Sequence, residues 1–174
     1  MVMATSLNKA FAAGGGCLVF PTAEERDHVL RCGGPMVFSG PVQPPMLGAA
    51  VASARLHLTD EINVLQDALL TRTEQTNALM HQYNLPLLVE NEAPIFFLRM
   101  GLPRVAMAVA KRMMDEDGIF VNVSAWPSVP MKRAGIRFAV NTRHTYEDLE
   151  RAISALARHI PQVLRDENVE RREL

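Results

Sequence analysis

The chain has 174 residues, of which 48% are hydrophobic and 21% charged, and its net charge is −1. This balance is typical of a globular protein and provides no overall field that favours nucleic acid or an anionic membrane. No stretch reaches the roughly 18 apolar residues of a membrane span, and no signal peptide is recognisable. Cys17 and Cys32 form no CxxC motif, and the histidines show no metal-ligand spacing. We therefore predict a cytoplasmic protein without a disulfide framework, a metal site, a membrane span or a nucleic-acid partner.

The first 45 residues are predicted to form short elements around a glycine run. Between the first two predicted strands, NKAFAAGGG indicates a turn or short helix followed by a glycine loop. TAEERDHVLRCGG predicts a helix, because Thr22 and Glu25 match a capping box and a glycine pair marks the end. The apolar segments predicted as strands are VMATSL, CLVFP and PMVFSG.

The middle of the chain has a helical period. Between Pro45 and Pro86, apolar side chains recur at steps of three and four residues, and no proline interrupts them. We predict one long helix over residues 46–85, which could bend at residues 57–60. A helix of about forty residues is unusual inside a single globular body, so this one is expected to connect two bodies.

The last part, residues 86–174, is predicted to form a compact domain. Pro103 and Gly118 mark the two ends of one helix, and Thr145 with Asp148 matches a capping box at the start of another. The predicted strands are PIFFLRM, IFVNVSAW and GIRFAVN. The order strand, helix, strand, strand, helix predicts a small mixed or antiparallel sheet with helices on one face.

Lys9 is an isolated charge in a small, apolar stretch, three residues after Ser6 and shortly before three glycines. Apolar surroundings favour the neutral amine, which is the form that attacks carbonyls. A hydroxyl and glycine N–H groups nearby can approach a phosphate. An imine-forming lysine beside such a loop is what pyridoxal phosphate chemistry requires. The alternative is a lysine exposed in a turn near the N-terminus.

Arg137 lies in the predicted strand GIRFAVN, where Ile136 and Phe138 alternate with it. A period of two sends the apolar side chains to one face of the strand and Arg137 to the other. Its planar guanidinium could bind a carboxylate, although a polar outer face without such a role has the same pattern.

Three segments, in order, resemble the α-oxoamine synthases, a family of fold-type-I pyridoxal-phosphate enzymes. TSLNKAFAAGGG is similar to their Schiff-base segment, with Ala12 where glycine is usual. PMVFSGPVQPP resembles their phosphate-contacting segment, in which Ser39 matches the first hydroxyl and Gly40 stands where a second is often found. GIRFAVNTRHTYEDL resembles the C-terminal signature that contains the substrate-binding arginine.

This resemblance assigns a role to four residues. Lys9 would be the catalytic residue, which holds pyridoxal 5'-phosphate as an imine and moves the proton at the substrate α-carbon. Ser6 and Ser39 would contact the cofactor phosphate, and Arg137 would bind the carboxylate of an amino-acid substrate. No metal site is implied.

The resemblance also implies the α/β aspartate-aminotransferase-like fold and three parts of the chain. Residues 1–45 would be a remnant of the large cofactor-binding domain, residues 46–85 the connecting helix, and residues 86–174 the small α+β domain. The family's chains are about twice as long, so we expect the C-terminal part of an enzyme.

The implied reaction condenses an amino acid with an acyl thioester, carried by coenzyme A or acyl carrier protein, with loss of carbon dioxide. Whether the chain alone is an enzyme stays open, because the family's other active-site residues belong to the N-terminal half. The alternatives are a non-catalytic truncated subunit that serves as an interaction module, and an aminotransferase-like enzyme with the same lysine. We expect a homodimer, or pairing with an N-terminal half.

Overall fold

The computed structural model describes residues 1–90 and 92–171. It divides into two compact units, Met1–Val64 and Leu65–Leu174. No helix in the described part of the chain is both long and apolar enough to cross a membrane. Among the same residues, no group of three or more His, Cys, Asp or Glu side chains could hold a metal ion.

The first unit begins with an antiparallel hairpin of β1 (Met3–Ser6) and β2 (Gly16–Val19), in which Met3 pairs with Val19 and Ser6 with Gly16. These are the two strands predicted on either side of the glycine loop. The predicted helix follows as α1 (Ala23–Cys32), and the Thr22 hydroxyl accepts a hydrogen bond from the Glu25 N–H.

The prediction of a third strand at PMVFSG is wrong, because this segment forms the helix α2 (Gly34–Phe38). Pro35 lies in the first turn of α2, where its fixed backbone angle suits a helix and its missing N–H costs nothing. The Met36 and Val37 N–H groups donate to the Gly33 carbonyl, so the segment satisfies its backbone without a neighbouring strand.

The predicted long helix is two helices, α3 (Pro44–Leu56) and α4 (Glu61–Gln82). The break falls at residues 57–60, where the sequence allowed a bend. Carbonyls of the last turn of α3 are satisfied there by side chains: His57 Nδ1 lies 2.8 Å from the Ser53 oxygen, and the Thr59 hydroxyl donates to the Leu56 oxygen at 2.8 Å. These bonds compete with continued helix and end α3.

The second unit is built on an antiparallel sheet with strand order β3–β5–β4. Its strands are β3 (Ile95–Gly101), β4 (Asn122–Ser124) and β5 (Ala134–Ala139). The helices are α5 (Pro103–Asp117) and α6 (Tyr146–Asp166), and both predicted ends of α5 are confirmed. The strand predicted at IFVNVSAW is shorter than expected, since only three of its residues pair with β5.

The core of the second unit lies on one face of this sheet. Side chains of β3 and β5 alternate, so that Phe96, Leu98, Ile136 and Phe138 are buried together with residues of α4, α5 and α6. The capping box at Thr145 and Asp148 is formed in both directions. That hydrogen bonding lowers the pKa of the Asp148 carboxyl. The predicted arrangement of helices on one face of a small sheet is confirmed.

Candidate active-site residues and the family of the chain

Lys9 lies in the loop that joins β1 to β2. The Leu7 N–H donates to the Gly15 carbonyl at 3.0 Å, and the Ala13 N–H donates to the Leu7 carbonyl at 2.9 Å. Within this frame, the Ala12 N–H donates to the Lys9 carbonyl at 2.9 Å and closes a tight turn. Lys9 is therefore the first residue of a hydrogen-bonded turn in a loop whose ends are fixed by β pairing.

The loop also packs against helix α3. The Phe11 ring stacks on the His57 ring at the end of α3, with centroids 4.6 Å apart and planes 19° from parallel. The Gly14 N–H lies 3.3 Å from the Met46 sulfur, and a Cβ at Gly14 would come within 3.0 Å of the Met46 Cγ. Glycine at this position thus allows the loop to approach the helix closely. These contacts on both sides of the turn position the backbone of Lys9.

The side chains of Lys9 and Ser6 are exposed. The Lys9 amine makes no hydrogen bond or ion pair with another residue in the described part of the chain, so it is available to a ligand. The Ser6 hydroxyl accepts a hydrogen bond from the Asn8 N–H at 3.2 Å and keeps its own hydrogen for a partner. The hairpin brings this hydroxyl and the amine onto the same short segment.

Ser39 follows helix α2 and is exposed as well. Its hydroxyl donates to the Pro35 carbonyl, which belongs to the last turn of α2. The oxygen of Ser39 can still accept a hydrogen bond, but its hydrogen is already engaged. A contact with a phosphate anion needs a donor, so the role predicted for Ser39 requires that hydroxyl to rotate away from Pro35.

Ala12 stands where the α-oxoamine synthases usually have glycine, and its backbone is in the left-handed region with φ of 49°. A residue with a Cβ costs roughly 1–2 kcal/mol there, whereas glycine does not. We expect Ala12→Gly to stabilise the loop against local opening by about 0.5–1 kcal/mol after the greater unfolded-state freedom of glycine is subtracted. Slower hydrogen exchange of the Leu7 amide, which is bonded across the loop, is the measurement.

Ala13→Gly is the matched control for Ala12→Gly. Ala13 is only 3% exposed and is not among the described residues with positive φ. The same change there removes a buried methyl group and adds freedom to the unfolded chain, so exchange of the Leu7 amide should become faster. Faster exchange in both variants would contradict the explanation from backbone conformation.

Arg137 lies on the central strand β5 and points to the face of the sheet opposite the core, as the period-two pattern predicts. It is exposed, while its neighbours Ile136 and Phe138 are buried. Its cross-strand partners are Phe97 on β3 and Asn122 on β4. Arg137 makes no ion pair with another described residue, so its guanidinium can bind a carboxylate from outside the chain.

Arg137 also borders a cleft of about 390 Å³ that reaches the start of α6. His144 lines the same cleft, and its Nδ1 lies 3.3 Å from the Asn141 N–H. This contact orients the turn that enters α6.

Sequence reasoning missed two residues on the face of Arg137, namely Phe97 and Arg99. Both lie on β3, in the same alternating set, opposite Arg137 and Gly135 respectively. The alternation of PIFFLRM could have placed them there, but the pairing of β3 with β5 is visible only in the folded chain. The structure thus places Ser6, Lys9 and Ser39 in the first unit, and Arg137 with these two residues in the second.

Residues 1–156 match the sequence model of the aminotransferase class I and II family, so the chain belongs to this family. Among curated relatives, an 8-amino-7-oxononanoate synthase of Mycobacterium sp. (strain JLS) is 29% identical over 157 residues, which are 90% of this chain and 39% of that protein. One from Alkaliphilus oremlandii (strain OhILAs) is 30% identical over 158 residues, which are 85% of this chain and 36% of that protein. The predicted resemblance to α-oxoamine synthases is confirmed.

Solved structures agree on the fold. A crystal structure of 8-amino-7-oxononanoate synthase from Francisella tularensis has a TM-score of 0.76 at 19% identity, and covers 93% of this chain and 46% of its own. Serine palmitoyltransferase from S. paucimobilis, with bound PLP and myriocin, has a TM-score of 0.82 at 16% identity, with coverages of 93% and 40%. The predicted fold is confirmed. The chain spans about two fifths of the length of the curated relatives it matches.

Proposed function

We propose that this chain is the C-terminal part of a pyridoxal-phosphate-dependent acyltransferase that condenses an amino acid with an acyl thioester and releases carbon dioxide. The observation that supports this most directly is the setting of Lys9. An exposed amine without an ionic partner stands at the first position of a fixed turn, in a segment that resembles the Schiff-base segment of the family. The likeness to 8-amino-7-oxononanoate synthases favours the acyl-transfer branch.

The residues present fit the cofactor in part. Lys9 offers a primary amine, and Ser6 offers a free hydroxyl hydrogen on the same hairpin. Ser39 fits only after it releases the Pro35 carbonyl. When bound, pyridoxal phosphate supplies an electron sink for the carbanion that develops at the substrate α-carbon. We propose that Lys9 holds the cofactor and moves the proton at that carbon, while Ser6 and Ser39 contact the phosphate.

Spectroscopy on the assembled protein tests the function. We expect the chain, combined with a large-domain half of the family, to acquire a visible absorption band when pyridoxal phosphate is added, and to release carbon dioxide only when amino acid and acyl thioester are both present. A non-catalytic subunit would give neither result. An aminotransferase-like enzyme would give the band and exchange amino groups with an oxo acid, without release of carbon dioxide.

For Arg137 we propose a carboxylate-binding role toward the amino-acid substrate. Arg137→Lys replaces a planar fork by a point charge, and hydrogen bonds to charged groups are worth about 1.5–3 kcal/mol. We expect the KM for the amino acid to rise about 10- to 150-fold, because each 1.4 kcal/mol is a factor of ten. The KM for the thioester should change little, and steady-state kinetics of the assembled enzyme measure both.

Arg104→Lys is the matched control for Arg137→Lys, because Arg104 lies on α5, outside the cleft that Arg137 borders, and pairs with Glu167. The control should leave both KM values near their original level. An amino-acid KM unchanged by Arg137→Lys would contradict the role.

We also propose that the first unit is completed by a partner, either a large-domain half or a second copy of the chain. Among residues 1–64, all of which the structure describes, only Ala13 is buried. Both strands of the hairpin are exposed, and so are Phe38 at 90% and Leu58 at 88%. Apolar surface of this extent and unpaired strand edges are features of interfaces.

Light scattering on the purified chain tests this proposal. We expect a mass above that of one chain, and a return to lower mass when Phe38→Ser and Leu58→Ser reduce the apolar surface. Thr59→Ser, an exposed polar change next to Leu58, should leave the mass unchanged. A monomer at all concentrations would show that the first unit needs no partner.

A further inference from the structure

His57 lies at the end of α3, and two hydrogen bonds fix its orientation. Its backbone N–H donates to the Ser53 carbonyl at 3.0 Å, and its ring Nδ1 lies 2.8 Å from the same oxygen. A carbonyl oxygen only accepts, so Nδ1 carries the hydrogen of the second bond. Because the backbone and the ring both bind one oxygen, the imidazole has little freedom to rotate. The ring is therefore a fixed surface at the end of the helix.

The face of this imidazole is covered by the ring of Phe11, which comes from the loop that carries Lys9. The ring centroids are 4.6 Å apart and the planes are 19° from parallel, so the two rings are stacked. Both side chains are partly buried. A pair of this kind changes an equilibrium constant by a factor of about 2 to 10. The stack therefore favours, by that factor, the state in which the loop lies against α3.

Phe11 belongs to the turn that begins at Lys9. The Ala12 N–H donates to the Lys9 carbonyl, so Phe11 is the third of the four residues of this turn. No residue from 7 to 12 is buried, and the left-handed backbone of Ala12, with φ of 49°, opposes the turn. The turn therefore depends on contacts from outside itself, and the stack on His57 supplies one. Since the Lys9 side chain is exposed, the position of its amine depends on where the turn is held.

We propose that His57 is a positioning residue for Lys9. Its ring, fixed by the Ser53 carbonyl, holds Phe11 and with it the turn, and so orients the amine that carries out the chemistry. When reacting groups must meet in one geometry, a displacement of about 1 Å can cost about 10²-fold in rate. This inference deepens the proposed function, on which it rests for the chemical role of Lys9.

Hydrogen exchange of the 174-residue chain, without cofactor, tests whether the stack holds the turn. In His57→Ala we expect the amides of Ala12 and Ala13, which donate within the loop, to exchange about 2- to 10-fold faster. The Gly33 amide, bonded at the end of α1 in the same unit, should exchange at its original rate. His57→Phe keeps an aromatic ring and should restore slow exchange. His28→Ala, which changes another partly buried histidine of the first unit, is the matched control and should have no effect.

Steady-state kinetics of the assembled enzyme separate positioning from folding. We expect His57→Ala to lower kcat about 10- to 100-fold and to leave the KM for the amino acid near its original level, because Arg137 lies in the other unit. His57→Phe should restore most of kcat. Phe11→Ala should lower kcat as His57→Ala does, and the double variant should fall no further, because both changes remove the same stack.

Three outcomes would overturn the role of His57: an unchanged kcat in His57→Ala, a His57→Phe variant that restores neither slow exchange nor kcat, and faster exchange of the Gly33 amide as well, which would mean a general loss of stability. A failure of the proposed function looks different. Reduction with borohydride that labels a lysine other than Lys9 would refute that function. A label on Lys9, together with an unchanged kcat in His57→Ala, overturns the positioning role alone.

Discussion

Replacement of Lys9 by alanine is expected to abolish covalent attachment of pyridoxal phosphate in the assembled enzyme and to lower turnover by about 10²- to 10⁴-fold. This loss of turnover is the typical effect of removing a group that transfers a proton in the reaction. The loss of the covalent bond to the cofactor lowers turnover further. Lys9→Arg should be equally inactive, because a guanidinium keeps the charge but remains protonated and cannot act as a nucleophile. The visible absorption band should disappear in both variants.

Labelling identifies the lysine directly. The chain contains three lysines, Lys9, Lys111 and Lys132. We expect reduction with borohydride after addition of pyridoxal phosphate to label the peptide that carries Lys9. Lys111→Ala and Lys132→Ala are the matched controls and should keep the absorption band. A label on either of these residues, with Lys9 unmodified, would refute the assignment.

The second large effect concerns stability rather than chemistry. His159, on α6, is completely buried, and its Nε2 donates to the Asp117 carboxylate at the end of α5 over 2.6 Å. The same carboxylate accepts from Arg158. His159→Ala removes a buried ring and leaves Asp117 without its buried donor, so we expect the free energy of unfolding to fall by about 2–4 kcal/mol.

Denaturant unfolding followed by far-UV circular dichroism measures this loss. Arg158→Ala is the matched control, because it removes the other donor to Asp117 from a half-exposed position and should cost less than about 1 kcal/mol. If Arg158→Ala lowers the free energy of unfolding more than His159→Ala does, the prediction that the buried donor stabilises the fold more than the half-exposed one is wrong.

The hydrogen bond from His159 lowers the pKa of Asp117 below its ordinary value of 3.8. A carboxyl whose pKa is lowered in the folded state stabilises the fold above the unfolded-state pKa, and this contribution is lost as the pH falls through the folded-state value. We therefore expect the stability difference between the original chain and Asp117→Asn to be largest near neutral pH and to shrink as the pH falls through the lowered pKa of Asp117. A difference that grows as the pH falls would contradict this sign.

Local sequence signals were enough to predict most of the second unit. Helix α6 was predictable because Thr145 and Asp148 form a local cap, and α5 because Pro103 and Gly118 mark its ends. The direction of Arg137 followed from alternation within β5. All of these signals act over a few residues, so they do not depend on which other segments pack nearby.

The sequence also led to the family, through the segments around Lys9, Ser39 and Arg137. It did not lead to the right structure for the segment before Ser39. PMVF has the apolar content of a strand, yet with proline in the first turn it forms α2 and satisfies its own backbone. Whether such a segment forms a strand or a helix depends on whether a partner strand is present, and local composition does not contain that information.

Which side chains share a surface, in contrast, became visible only in the folded chain. The register between β3 and β5 places Arg99 beside Arg137 and lays the Phe97 ring over Gly135. The packing of α6 against α5 likewise buries His159 and brings it into hydrogen-bond contact with Asp117, forty-two residues away in the chain. No sequence motif around His159 indicated this contact. Such contacts join residues far apart in the chain, and their energies depend on burial and register, which no local pattern of residues encodes.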